Sequence, residues 1–197
     1  MSVFQHKDKI DYRLIPIGLT SVYPPEAVLL GLAGRTECDV VAELVRHAVA
    51  LGRIPAWAED DVIGLVEERE RLGSRALGNG IAFPHCRSSH TEQFVGIAGF
   101  AHAGIPFQAI DGKPVDMVFL LLAPTDRSEK FFDVLGRMVA IGRDRSLCFL
   151  LRGCRNAEHV SSFLQQLDQV PSDDAKTRRT SRPDVSPHRR IICPAGR

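Results

Sequence analysis

The spacing of apolar residues changes twice along the chain, and this change restricts the folds open to it. Helical spacing gives way near the middle to short apolar or alternating runs, and it returns after residue 128. The predicted helices run from Thr36 to Gly52, from Ala58 to Leu72, from Ser128 through Val139 and from Ala157 to Leu167; the predicted strands are 81–83, 94–100 and 115–122. Strands placed between helical ends predict an α/β fold: a single layered domain with a mixed sheet flanked by helices.

The chain length allows one domain with its own hydrophobic core and a tail at either end. Of the 197 residues, we assign 15–170 to the domain, 1–14 to a flexible N-terminal segment and 171–197 to a disordered basic tail. The tail carries Lys and Arg among Ser, Thr, Pro and Asp, with almost nothing to bury. Such a tail is either a solvated end or a contact for an anionic partner.

Charge and cysteine usage exclude several functional classes. A formal net charge of +1 gives no support to a nucleic-acid or membrane-surface role. The longest apolar run, 117–123, is far shorter than the roughly 20 residues that a membrane span needs. Five cysteines without a Cys-x-x-Cys pair, behind an N-terminus unlike a signal peptide, fit a reducing compartment. We therefore predict a cytoplasmic protein with no membrane insertion and no nucleic-acid partner.

The stretch 78–85, with the sequence GNGIAFPH, carries the strongest indication of chemistry. It predicts a glycine-loosened turn, a short apolar strand and then His85, delivered at the strand's end behind Pro84. Imidazole is one of the few side chains that can act as a nucleophile near neutral pH. The pattern indicates a histidine presented for reaction rather than one buried for packing.

Five separated segments, in order between Leu19 and Leu167, resemble the fructose/mannitol-type enzyme IIA domains of the bacterial phosphotransferase system. That family includes the nitrogen-regulatory IIA proteins. The segments are Glu68-Arg69-Glu70 with Gly73-Ser74, the stretch 78–85, Gly104-Ile105-Pro106-Phe107, Asp111-Gly112 with Pro114-Val115, and 118–124. A Pro-His dipeptide alone is common, so the resemblance depends on all five segments together.

The resemblance implies a phosphocarrier that needs no cofactor and no metal. His85 stands in the position of the family's phosphorylated histidine, accepting a phosphoryl group from HPr or a related carrier. The group is then passed to an enzyme IIB or held as a regulatory signal. Arg69 stands where the family keeps an arginine near the phosphohistidine, and its planar cationic fork suits phosphate oxygens. Ser74 and Asn79 either bind phosphate or brace the loop.

The chain departs from the family pattern close to the predicted acceptor. Phe131 stands where the family commonly has a second histidine, and phenylalanine cannot donate a hydrogen bond to a phosphoryl oxygen. Cys86 replaces the usual Gly or Ala, and Arg75 replaces a smaller or hydroxyl residue. Arg75 either supplies replacement positive charge or points into solvent. We expect slower transfer unless another group substitutes for the missing donor.

Three other interpretations stay open at this point. Cys86 could be the nucleophile of a thiol enzyme, with His90 or His102 as its base, although adjacent residues of an extended segment point to opposite faces. His85, Cys86 and His90 could hold a metal, although they lack the paired ligand clusters of structural zinc sites. The third is a standalone regulatory interaction module of the nitrogen-regulatory kind, with little or no onward phosphotransfer.

Overall fold

The computed structural model describes residues 17–73 and 76–169. The predicted N-terminal segment 1–14, the predicted tail 171–197 and residues Ser74 and Arg75 lie outside these ranges. Within them, the helices are α1 (Leu19–Val22), α2 (Glu37–Ala50), α3 (Glu59–Arg71), α4 (Ser128–Arg143), α5 (Arg145–Arg152) and α6 (Ala157–Asp168). The strands are β1 (Val28–Leu30), β2 (Ala76–Gly78), β3 (Ile81–Ala82), β4 (His85–Ser88), β5 (Val95–Ile105) and β6 (Val115–Pro124).

The strands form one mixed sheet in the order β1-β5-β6-β3-β2, with β4 also paired to β6. The long antiparallel pair β5–β6 is the centre of the sheet. β3 and β4 lie one after the other along the opposite side of β6, both parallel to it: Ile81 is opposite Met117 and His85 is opposite Leu121. The predicted α/β fold with a mixed sheet is confirmed.

Each face of the sheet has its own hydrophobic core. On one face, α2 and α3 pack on the sheet through residues such as Leu44 and Val66. On the other face, α1, α4, α5 and α6 contribute residues such as Leu19, Val134 and Leu164. Burial of apolar surface on both faces is what holds a layered α/β domain together. None of the helices within the described ranges is long and apolar enough to cross a bilayer.

The predicted start of α2 is confirmed, whereas that of α4 needs correction. The Thr36 hydroxyl accepts a hydrogen bond from the Asp39 amide (3.2 Å), and the Asp39 carboxylate accepts one from the Thr36 amide (3.0 Å). This reciprocal capping box fixes the first turn of α2. Ser128, predicted as the cap of α4, is instead its first helical residue; Arg127 holds the cap position and makes no side-chain capping bond.

Several short elements were not predicted from the sequence. β1, β2 and β4 have three or four residues each, too few to show a hydrophobic period. In α5, the side chains of Phe149 and Leu150 are exposed, so apolar residues are not confined to one side of the helix. The turn predicted at Gly104-Ile105-Pro106 is also wrong in part. β5 continues to Ile105, and the positive φ of Gly104 lies within an irregular stretch of its pairing with β6.

Asp168, at the end of α6, fastens the start of the described chain to the helical face. Its carboxylate accepts hydrogen bonds from the Leu19 amide (2.7 Å), the Thr20 amide (3.0 Å) and the Thr20 hydroxyl (2.8 Å). Arg137 of α4 completes the cluster with an ion pair. Burial acts to raise the pKa of Asp168, but the hydrogen bonds from Thr20, Leu19 and Arg137 outweigh it and hold the pKa below its ordinary value.

We expect Asp168→Asn to lower the free energy of unfolding at neutral pH. A carboxyl whose pKa is depressed on folding stabilises the fold above its ordinary pKa of about 4, and this contribution is lost as the pH falls through the folded value. Urea denaturation of both proteins from pH 7 down to pH 3 measures the difference, which should shrink below about pH 4. A difference independent of pH would show that the carboxylate charge is not what fastens α1.

Candidate functional site

His85 lies where two short strands succeed each other along β6. The sequence predicted one strand ending at His85, but β3 ends at Ala82 and His85 begins β4. The interruption falls on Phe83 and Pro84, since a proline has no N–H to donate to a ladder. The Pro84 carbonyl still accepts a bond from the Leu121 amide at 3.0 Å, so the chain keeps its place beside β6.

The break in the strand leaves a backbone carbonyl facing the imidazole. Nδ1 of His85 lies 2.8 Å from the carbonyl oxygen of Phe83. A carbonyl oxygen only accepts hydrogen bonds, so Nδ1 carries the proton and donates. In the neutral ring the nucleophilic lone pair is then on Nε2. The fold therefore fixes the orientation and the tautomer of His85, as a reacting imidazole requires.

Phe131 packs directly on His85. The two ring centroids are 5.6 Å apart with an angle of 54° between the planes, and Phe131 is buried. The position that holds a second histidine in the family thus faces His85 here, with a phenyl ring in place of a donor. His85 is only 6% exposed, so the expectation of a histidine presented for reaction rather than buried for packing is wrong about burial: the ring is buried against Phe131. Aromatic packing of this kind holds an imidazole firmly without giving it a hydrogen bond.

The thiol of Cys86 faces away from the histidine. Cys86 belongs to the core between the sheet and α2–α3, whereas His85 contacts α4 on the other face, as alternation along a strand requires. Burial raises the pKa of the Cys86 thiol to about 12. A thiol that stays protonated at neutral pH is a poor nucleophile, which disfavours the thiol-enzyme interpretation.

His90 and His102, the other histidines named in the alternative interpretations, lie in different environments from His85. The ring of His90 lies edge-on to Trp57 at 5.1 Å, and its Nε2 is 3.5 Å from the carboxylate of Asp61. His102 is exposed on β5. Across 17–73 and 76–169, no group of three or more His, Cys, Asp or Glu side chains could hold a metal ion.

Arg69 lies in the last turn of α3, and its side chain is exposed. It forms no ion pair or hydrogen bond with the residues that the structure describes, so its guanidinium is not committed to a carboxylate of the domain. The next residue, Glu70, is buried and turned inward. The role of Arg69 toward a phosphoryl group stays a prediction. Ser74, the other residue predicted near this helix end, lies outside the described ranges.

Asn79 occupies the tight turn between β2 and β3. Its φ of 55° is in the left-handed region, which asparagine tolerates better than most residues. The side-chain amide donates to the Gly142 carbonyl at 3.0 Å, and the backbone N–H donates to Asp111 at 3.1 Å. Arg152 donates to the Asn79 carbonyl at 2.8 Å. These contacts tie the turn to α4 and α5; a contact of Asn79 with phosphate stays a prediction.

One cationic residue next to His85 was not singled out from the sequence. Arg87 is the second residue after His85 in β4, and its guanidinium donates to the hydroxyl of Ser128 at 2.6 Å. Residues two apart in a strand share a face, so Arg87 and His85 are on the same side of the sheet. The sequence shows that Arg87 follows His85 by two residues, but this spacing indicates a shared face only if the strand continues past His85.

Comparisons with known proteins show the family and agree with the fold. The family described as "Phosphoenolpyruvate-dependent sugar phosphotransferase system, EIIA 2" matches residues 21–167. A "Nitrogen regulatory protein" of Bradyrhizobium diazoefficiens is 33% identical over 146 residues, which cover 74% of this chain and 94% of the relative. The crystal structure of the nitrogen regulatory protein IIA-Ntr from Neisseria meningitidis superposes with a TM-score of 0.68 and 26% identity, covering 73% of this chain and 97% of that one.

A third comparison concerns a protein solved with a partner. The Escherichia coli complex of enzyme IIAMTL with phosphorylated enzyme IIBMTL matches with a TM-score of 0.59 and 16% identity, over 72% of this chain and 95% of that one. At this identity the likeness shows the shared fold alone.

Proposed function

Since this chain belongs to the EIIA 2 family of the phosphoenolpyruvate-dependent sugar phosphotransferase system, we propose that it is a phosphocarrier that accepts a phosphoryl group on His85. The observation that carries the proposal is the hydrogen bond from Nδ1 to the Phe83 carbonyl. It holds a nucleophilic nitrogen in one orientation, as positioned nucleophilic catalysis requires.

The chemistry is a displacement at phosphorus. Nε2 of His85 attacks the phosphoryl group of a phosphohistidine on the donor protein; the new N–P bond forms as the donor's N–P bond breaks. The lone pair returns to the donor's imidazole, and no water takes part. Positive charge develops on the His85 ring, and the Phe83 carbonyl stabilises it through the proton on Nδ1. Arg69 is proposed to neutralise the charge of the phosphoryl oxygens.

The partners follow from the same chemistry. The donor is an HPr-like phosphocarrier, and the acceptor is an enzyme IIB domain, the kind of protein found with enzyme IIAMTL in the E. coli complex. We propose that the protein acts in the cytoplasm, where such carriers work.

A second function is favoured by one observation, the replacement of the family's second histidine by Phe131 against His85. The relatives from B. diazoefficiens and N. meningitidis are named nitrogen regulatory proteins. In this alternative the chain is a standalone module that binds other proteins according to its phosphorylation state, with little onward transfer. A phosphoryl group adds roughly −1.5 to −2 charge, which is enough to reverse a docking preference.

Intact-mass analysis tests the proposal. After incubation with phosphoenolpyruvate, enzyme I and an HPr-like carrier, we expect the mass to rise by one acid-labile phosphoryl group. Addition of an enzyme IIB should then remove the group if the chain is a transfer component, and leave it in place if the chain is a regulatory module. An unchanged mass with carriers that phosphorylate a known enzyme IIA would refute the phosphocarrier function.

A further inference from the structure

We propose that Arg87 and Ser128 together form a contact for the phosphoryl group on His85, in place of the missing second histidine. The inference rests on the proposed function, because it assigns residues to the phosphoryl group that His85 accepts. Its basis is the hydrogen bond between the Arg87 guanidinium and the Ser128 hydroxyl, beside the contact of Phe131 with His85.

The two contacts run side by side between the same two elements. His85 and Arg87 are successive same-face positions of β4, about 7 Å apart. Ser128 and Phe131 are three residues apart in α4, so they are neighbours on one face, about 5–6 Å apart. His85 contacts Phe131 and Arg87 contacts Ser128. The guanidinium therefore lies one step along the strand from the imidazole, over the same end of α4.

The hydrogen bond of Nδ1 leaves Nε2 as the reacting nitrogen of the imidazole. Nδ1 is held by the carbonyl of Phe83, which precedes His85 in the chain. Nε2 is on the edge of the ring opposite Nδ1, and that edge faces away from the Phe83 carbonyl. We place a phosphoryl group on Nε2 within reach of the guanidinium because Arg87 is the next same-face residue of β4. Arginine suits this task because its planar fork can bind two phosphate oxygens at once.

The charge of Arg87 is available for this contact. Its side chain is exposed, and it forms no ion pair with a carboxylate of residues 17–73 or 76–169. The acidic residues at the start of α4, Asp126 and Glu129, are exposed and do not pair with it. Ser128 accepts from Arg87, so its hydroxyl proton can be donated to a phosphoryl oxygen. The pair offers the donor that Phe131 cannot supply, and it also supplies positive charge.

Phosphorylation by potassium phosphoramidate tests Arg87 without any carrier protein. The N–P bond to Nε2 forms as the P–N bond of phosphoramidate breaks and ammonia leaves. The reaction is followed by ³¹P NMR. The phosphohistidine signal of His85 is the part of the wild-type signal that is absent from His85→Ala. We expect Arg87→Gln to slow its formation about tenfold or more, the effect of one hydrogen bond to a charged group, and to move the ³¹P resonance of the phosphohistidine.

Two further variants separate phosphate binding from a structural role. Arg87→Lys keeps the charge but lacks the fork, so we expect it to recover part of the rate. Arg46→Gln is the matched control, because Arg46 is also an exposed arginine with a hydrogen bond, here to Glu59, and it is on α2. We expect it to react at the wild-type rate.

The outcomes distinguish this inference from the proposed function. If Arg87→Gln reacts as fast as Arg46→Gln and its ³¹P resonance does not move, the contact does not exist. The same conclusion follows if phosphoramidate puts no phosphate on His85 of the wild type. If His85 and Arg87 behave as expected here but HPr-like carriers leave the chain unmodified, the phosphocarrier function fails and the phosphoryl contact stands.

Discussion

Replacement of His85 by alanine is expected to abolish carrier-dependent phosphorylation of the chain. Among the histidines that the structure describes, His85 is the one whose Nδ1 is held by a backbone carbonyl and whose ring is packed on Phe131, so we expect none of the others to take its place. The measurement is the intact mass after incubation with phosphoenolpyruvate, enzyme I and an HPr-like carrier. The variant should keep the unmodified mass when the wild type has gained a phosphoryl group.

His102→Ala is the matched control for this experiment. His102 is exposed on β5, so it would be the easier target if access to solvent alone decided which histidine reacts. We expect this variant to be phosphorylated like the wild type. Because His85 is buried, thermal unfolding of His85→Ala should be recorded to verify that the protein is folded at the assay temperature. Retention of an acid-labile phosphoryl group in folded His85→Ala would disprove the assignment of the acceptor.

Phe131→His is expected to speed phosphoryl acceptance by up to about a hundredfold, the lower end of what one positioned donor contributes to a transition state. Phe131 already contacts the His85 ring, so a histidine at this position can donate to an oxygen of the transferring group. Rapid-quench measurement of the transfer rate from the phosphorylated carrier gives the comparison. The imidazole is polar and the site is buried, so we also expect a lower free energy of unfolding.

Phe132→His provides the control for a histidine added nearby. Phe132 is the next residue of α4 but is 62% exposed, whereas Phe131 is buried against His85. This variant should transfer at the wild-type rate. Equal rates for Phe131→His and the wild type would mean that the missing donor does not limit transfer. The contact of Arg87 with the phosphoryl group is then the simplest compensation.

Four of the helices (α2, α3, α4 and α6) and the central strands β5 and β6 could be predicted because their signals are local. The Thr36 capping box involves residues three apart, and β5 and β6 are each marked by a contiguous apolar run. By contrast, α5 was not predicted, because its 8 residues make only about two turns, too few for a helical period to stand out in the sequence. The pairing of β1 with β5 depends on residues about 70 positions apart, which no local pattern records.

The site was predictable in part for the same reason. His85 stands out because its motif is contiguous, and Phe131 because it could be counted from Pro124. Arg87 could not be identified, since its importance depends on β4 continuing beyond the proline and on α4 docking over it. The tautomer of His85 was equally hidden, because it depends on where one carbonyl points after the strand breaks.

The carbonyl that binds Nδ1 predicts which nitrogen of His85 takes up a phosphoryl group. We expect the Nε2 isomer, because the other nitrogen is occupied by its proton and by the Phe83 oxygen. The Phe83 carbonyl belongs to the main chain, so no single substitution removes it. Substitutions around the site can therefore change how fast the histidine reacts and with which proteins, while the same nitrogen continues to react.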